Sequence, residues 1–158
     1  MGKKTLRTEY EEFNNLEELS PERIKLVQMA IEAAGNAYAP YSDFNVGAAL
    51  LLQNGEILTG NNQENAAYPS GLCAERVALF YSGSKYPGTK VLIIAIAATQ
   101  NEELVADPVS PCGGCRQVMH ETEIRHNHPI EIILYGRDKI RIINRAADLL
   151  PLPFAFTK

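Results

Sequence analysis

The chain has 158 residues, 46% hydrophobic and 22% charged, a balance that suits one packed domain. Its formal net charge of −4 and pI near 5.4 argue against a nucleic-acid surface, which is normally basic. The longest apolar run, Val91 to Ala98, is too short to span a bilayer, and Met1 to Phe13 lacks the apolar stretch of a signal peptide.

Residues 1–19 are polar and rich in Glu, with Phe13, Leu16 and Leu19 interspersed. They read as an arm packed on the surface of a single domain running from 20 to 158. Ser20-Pro21-Glu22 starts a helix: serine caps, proline fits the first position and glutamate favours the positive end. Ile24, Val27, Ile31 and Ala34 follow one buried face, which predicts a helix to about Tyr38, stopped by Pro40. Phe44 to Leu52 is an apolar strand. Asn54-Gly55 predicts a two-residue hairpin turn, with Glu56 to Asn61 returning antiparallel. A polar loop, 62–70, feeds a helix from about Leu72 to Ser82 that ends near Gly83.

Lys90 to Thr99 contains Val-Leu-Ile-Ile-Ala-Ile-Ala-Ala, a run that suits a central strand covered on both faces. After a loop from Gln100 to Val109, Pro111 opens a helix to about Glu121. Ile130 to Tyr135 and Lys139 to Ile143 read as two more strands, and Asn144 caps a short helix before Pro151. This order predicts an α/β fold, a three-layer α-β-α sandwich with a central mixed five-stranded sheet. Tyr81 and Tyr86 read as packing residues. His126 and His128 read as solvated residues in a loop before Pro129.

All three cysteines lie in two stretches, Gly71-Leu72-Cys73-Ala74-Glu75-Arg76 and Ser110-Pro111-Cys112-Gly113-Gly114-Cys115-Arg116-Gln117. An odd count argues against a disulfide framework and for reduced thiols in a cytoplasm. Three thiols and one carboxylate are the parts of a catalytic zinc site, because three protein ligands leave a fourth position for water. Cys112 and Cys115 are three apart and share a helix face. Ser110 as cap and Pro111 at the first position place both in an opening turn. Gly113 and Gly114 each cost about 1 kcal/mol relative to alanine inside a helix, which predicts a close backbone approach there. Cys73 and Glu75, two apart, converge only around a helix end. The metal is therefore expected off two helix N-termini, where free N–H groups and positive dipole ends stabilise thiolates. Three thiolates overcompensate a zinc dication, and Arg76, more than Arg116, is placed to neutralise the excess.

A lone Cys-x-x-Cys serves redox chemistry or structural zinc. Preceded by proline and matched upstream by Cys-Ala-Glu, it follows the zinc deaminase pattern, in which the glutamate is general acid and base. The chain closely resembles the small, homotetrameric-type cytidine deaminases from about Ala37 through Phe154. The likeness rests on Tyr38-Ala39-Pro40-Tyr41-Ser42 with Phe44, Val46-Gly47-Ala48-Ala49, Asn62-Gln63-Glu64-Asn65-Ala66-Ala67-Tyr68, and the two cysteine motifs. It implies one zinc per subunit on Cys73, Cys112 and Cys115, with Glu75 shuttling protons. It further implies Asn62 and Glu64 on the ribose, Phe44 against the pyrimidine, and the Ala74 backbone on the base. The Ser110 carbonyl would face the leaving amine, and Phe154, or Phe156 beside it, would reach a neighbouring subunit's pocket.

The activity so implied is zinc-dependent deamination of free cytidine and 2′-deoxycytidine to uridine and 2′-deoxyuridine plus ammonia, in cytoplasmic pyrimidine salvage. Partners would be a small nucleoside and further copies of the chain, with no nucleic acid and no membrane. One alternative is a related aminopyrimidine nucleoside, such as a nucleoside antibiotic. Another is a base within a nucleic acid; acidity, short length and Cys as the first ligand weigh against it. A non-catalytic zinc module would leave Glu75 and the open metal position without a purpose.

Overall fold

The computed structural model describes residues 2–156; Met1, at the head of the expected arm, and 157–158, at the end of the expected domain, lie outside it. In chain order the elements are β1 (Glu11–Phe13), α1 (Pro21–Ala34), β2 (Phe44–Leu52), β3 (Ile57–Asn61), α2 (Ala74–Lys85), β4 (Val91–Gln100), β5 (Glu103–Leu104), α3 (Gly113–His126), β6 (Glu131–Tyr135) and β7 (Ile140–Ile143). Short 3-10 turns cover Leu16–Glu18, Tyr68–Ser70 and Ala146–Leu149. One mixed sheet runs β1-β7-β6-β4-β2-β3, with β5 paired to the end of β4. Among the described strands only β4 and β6 pair in parallel, and α3 lies in the crossover between them, as a parallel connection requires.

Period-two alternation explains why β2, β4 and β6 read as unbroken apolar runs. Ala48, Leu50, Ile94, Ile96, Ile132 and Leu134 face one core, shared with Ala78 and Leu79 of α2 and Met119 of α3. The residues between them, Ala49, Leu51, Ala95, Ala97 and Ile133, face a second core with Leu26, Val27 and Ala30 of α1. The result is the expected three-layer sandwich: one helix on one face, two on the other.

The sheet has seven strands rather than the expected five. The additions, β1 and β5, span three and two residues, too few for a hydrophobic period to register. β1 comes from the arm. It pairs antiparallel with β7 and is clasped by Glu12, which accepts from Lys139 Nζ at 3.2 Å and Arg141 Nε at 2.9 Å.

α1 starts as expected, the Ser20 hydroxyl accepting from Arg23 N at 3.4 Å. It ends at Ala34, short of the expected Tyr38, because Tyr38 is recruited elsewhere. Its N–H donates to Asn62 O and its carbonyl accepts from Glu64 N, at 3.0 and 2.8 Å. The hairpin loop is longer than two residues: Leu52 N donates to Glu56 O and Gly55 N to Leu52 O, with Gly55 at φ 83°. The expected helix after Asn144 is a single 3-10 turn. Its first amides are capped from α3: the buried Glu123 accepts from Ala146 N at 2.7 Å and Ala147 N at 3.1 Å. His126 belongs to the last turn of α3, and Asn127 closes that helix at φ 47°. Tyr81 is exposed rather than packed, with the Lys85 ammonium over its ring.

Candidate active site

The first turns of α2 and α3 meet at one end of the sheet. At Gly60 of β3, a Cβ would lie 2.6 Å from Ala78 N and 2.7 Å from Ala74 O. A residue without one therefore lets α2 sit directly on the strand, which sets the position of Cys73. Cys73 is the N-cap of α2 and Cys112 that of α3, and neither end is closed by a side-chain hydrogen bond. Cys112, not Ser110, is thus the cap, and Cys115 occupies the first turn. The extended backbone of Cys112 (φ −66°, ψ 165°) turns its thiol back over that turn. The Cys73 and Cys112 sulfurs are 3.9 Å apart, and those of Cys112 and Cys115 are 3.5 Å apart. All three lie within 4.8 Å of one another. Sulfurs on a tetrahedral zinc, with bonds of about 2.3 Å, sit about 3.8 Å apart, so this spacing fits that ion. No other helix approaches the two glycines: a Cβ at Gly113 would meet no protein atom within 4 Å, and one at Gly114 would only graze Cys112 Sγ at 4.0 Å.

Glu75 follows in the first turn of α2 and is 4% exposed. Burial, and then the nearby Cys73 charge, push its carboxyl above the usual carboxylate range. Together with Cys73 and Cys112 it lines a cavity of about 440 Å³. Phe44, Asn62, Glu64 and Ser110 line the same cavity, so residues from three separate parts of the chain come to the thiols. The buried Ala74 is the first residue of α2, where a helix leaves its N–H groups without intrahelical partners. Phe154 is apart from them, its ring exposed and its carbonyl accepting from Gln117 Nε2 at 3.0 Å.

The sequence matches the family described as "Cytidine and deoxycytidylate deaminase zinc-binding region" over residues 20–128, which includes all three cysteines and Glu75. The chain belongs to the cytidine and deoxycytidylate deaminase family. Relatives include the cytidine deaminase of Halalkalibacterium halodurans, 47% identical over 100 residues, covering 63% of this chain and 71% of that one. The cytidine deaminase of Mycobacterium tuberculosis is 37% identical over 128 residues, covering 79% and 84%. The crystal structure of the Burkholderia pseudomallei cytidine deaminase superposes with a TM-score of 0.71 at 38% identity, covering 86% of this chain and all of that one.

Membership in a zinc-binding family agrees with the electrostatics of the cluster. The neighbouring Cys115 thiol, with Arg76 and Cys112, holds the Cys73 thiol down to about 5. The same contact, with burial, pushes Cys115 far up. Three packed sulfurs without a cation favour one thiolate and oppose a second; a dication among them favours all three. Arg76 Nη2 lies 3.6 Å from Cys73 Sγ. Arg116 points elsewhere, from Nε to Pro111 O at 2.8 Å and from Nη1 to Leu149 O at 3.0 Å.

Two site features were not assigned from the sequence. Glu64 is itself held: it accepts from Ser42 Oγ at 2.6 Å and Tyr41 N at 2.9 Å, which keep its carboxyl below the ordinary range. Asn62 staples β2, accepting from Val46 N at 2.7 Å and donating to Phe44 O at 2.9 Å. The motif Tyr41-Ser42 was a signal for the first. Nothing in a polar Asn announces the second.

Proposed function

We propose that this chain hydrolytically deaminates free cytidine and 2′-deoxycytidine, in cytoplasmic pyrimidine salvage, as a homotetramer. Residues 20–158 form the deaminase domain in this reading and 1–19 an arm laid on it. The observation that carries the proposal is the buried Glu75 carboxyl beside three clustered sulfurs, with Glu75, Cys73 and Cys112 lining one nucleoside-sized cavity and Cys115 buried behind them. Cys73, Cys112 and Cys115 would hold zinc, which supplies a Lewis acid that lets water ionise near neutral pH.

Glu75 accepts the proton that water loses as its oxygen bonds to C4 of the pyrimidine. It passes that proton to N3, then takes the hydroxyl proton and gives it to the departing amine. The C4–N bond breaks, a C4 carbonyl remains and ammonia leaves. A carboxyl raised by burial suits both directions of transfer, since efficiency is greatest when a shuttle's pKa is near the working pH. Phe44 packs on the base, the Ala74 N–H bonds it, and the Ser110 carbonyl accepts from the amine. Glu64 and Asn62 take ribose hydroxyls; the amide of Asn62 keeps one N–H beyond its bond to Phe44 O. The net charge of −4 supports a free nucleoside over a polynucleotide. The exposed Phe154 ring, anchored only at its backbone, supports a role in a neighbouring subunit's pocket. Ammonia and uridine release from cytidine by zinc-loaded protein is the test. Zinc-replete protein that turns over no cytidine would reject the reading.

A further inference from the structure

Arg116 is part-buried, and its hydrogen bonds go to backbone carbonyls rather than to the sulfurs. Its planar guanidinium presents donors along two edges in fixed relation, and each edge takes a backbone carbonyl. Nε donates to Pro111 O at 2.8 Å, and Nη1 to Leu149 O at 3.0 Å. Pro111 lies between Ser110 and Cys112, two residues that line the cavity. Leu149 ends the 3-10 turn from which the tail departs. That turn is already fastened to α3 at its start by Glu123, and Gln117 holds the tail again at Phe154 O. Arg116 is the one link of this series that also reaches the loop before Cys112.

We propose that Arg116 is a positioning residue that ties the Ser110–Cys112 wall of the cavity to the root of the C-terminal tail. Wall and tail are then held as one unit, and the wall's carbonyls keep their place against a bound base. The kinetic consequence rests on the deaminase reading; the structural one does not.

The test compares three full-length, zinc-loaded variants by zinc content, cytidine kinetics and peptide-resolved hydrogen exchange. Arg116→Gln is expected to keep its zinc, exchange faster at both 109–112 and 149–154, and lose up to about 10²-fold in kcat, the scale of a misplaced reactant. Arg116→Lys, whose single ammonium cannot span both carbonyls, should restore protection to one segment and only part of the rate. Arg145→Gln breaks the exposed pair with Asp148, 2.6 Å from Nη2 to Oδ1, in the same turn. It should loosen 146–149 alone and change kcat by less than about two-fold, as for a surface ion pair. Wild-type kcat and KM in Arg116→Gln would overturn the proposal. So would faster exchange in only one of its two segments. Zinc loss from both Arg116 variants would overturn it as well, by making Arg116 part of the metal site. Should Arg116→Gln not fold, the split protection in Arg116→Lys decides. If wild-type protein proves inactive on cytidine, the deaminase reading fails while paired exchange still decides the bridge.

Discussion

Glu75 is a carboxyl in the first turn of α2 that is almost wholly removed from water. Replacing it with glutamine keeps its shape and removes its proton. Glu75→Gln is expected to fold and bind zinc as before and to lose about 10²–10⁴-fold in kcat, read by steady-state kinetics beside metal analysis. Turnover at the wild-type rate would take Glu75 out of the chemistry. Glu64 gives a pH prediction. Its charged form is favoured by the Ser42 hydroxyl and the Tyr41 N–H, so its folded-state pKa is depressed. Its hold on substrate is thus present above the ordinary carboxylate range and lost as pH falls through the lower folded value. In Ser42→Ala the acidic rise in KM should begin at higher pH than in wild type; superimposable KM profiles would contradict this. That the three cysteines and Glu75 come together was legible because their spacing is itself the signal. The grip on Glu64 was not, because its donors lie 22 and 23 residues away and ordinary polar residues provide them.

At the scale of elements, the placement of α2 depends on an absent side chain. Gly60→Ala sets a methyl against helix backbone that has no rotamer to yield. It should destabilise the fold by about 1–3 kcal/mol, as overpacking does, and lower zinc affinity by displacing Cys73. Thermal denaturation and a competitive chelator titration check both; an unshifted midpoint would show that α2 yields without cost. Such contacts were invisible beforehand. α1, β2 and β4 were readable because proline punctuation and long apolar runs report local preference. β5 was not, because its two residues are too few to carry a period. β1 and the early end of α1 were not, because each is decided by a partner distant in sequence, β7 and the Asn62–Glu64 segment. The same holds for the C-terminal turn, whose cap comes from Glu123 rather than from a neighbouring residue.

At the scale of the whole molecule, the exposed Phe154 and the open cavity are two halves of the proposed tetramer. Phe154→Ala should raise KM, and Glu75→Gln should lower kcat. Mixed subunits of the two variants should regain activity, because some sites then pair an intact Glu75 with a neighbour's intact Phe154. A mixture no more active than its parents, with active protein sedimenting as a monomer, would reject the shared site. The layered architecture followed from element order and the alternation within strands. How copies meet left no period or spacing in the sequence, and rests on the family likeness.

The most direct measurement is ammonia release from cytidine by one preparation assayed as purified, after chelation of its metal, and after zinc is returned. Activity should vanish with the metal and come back in proportion to zinc bound. Undiminished release from the stripped protein would contradict a hydrolysis built on three sulfurs and a buried acid.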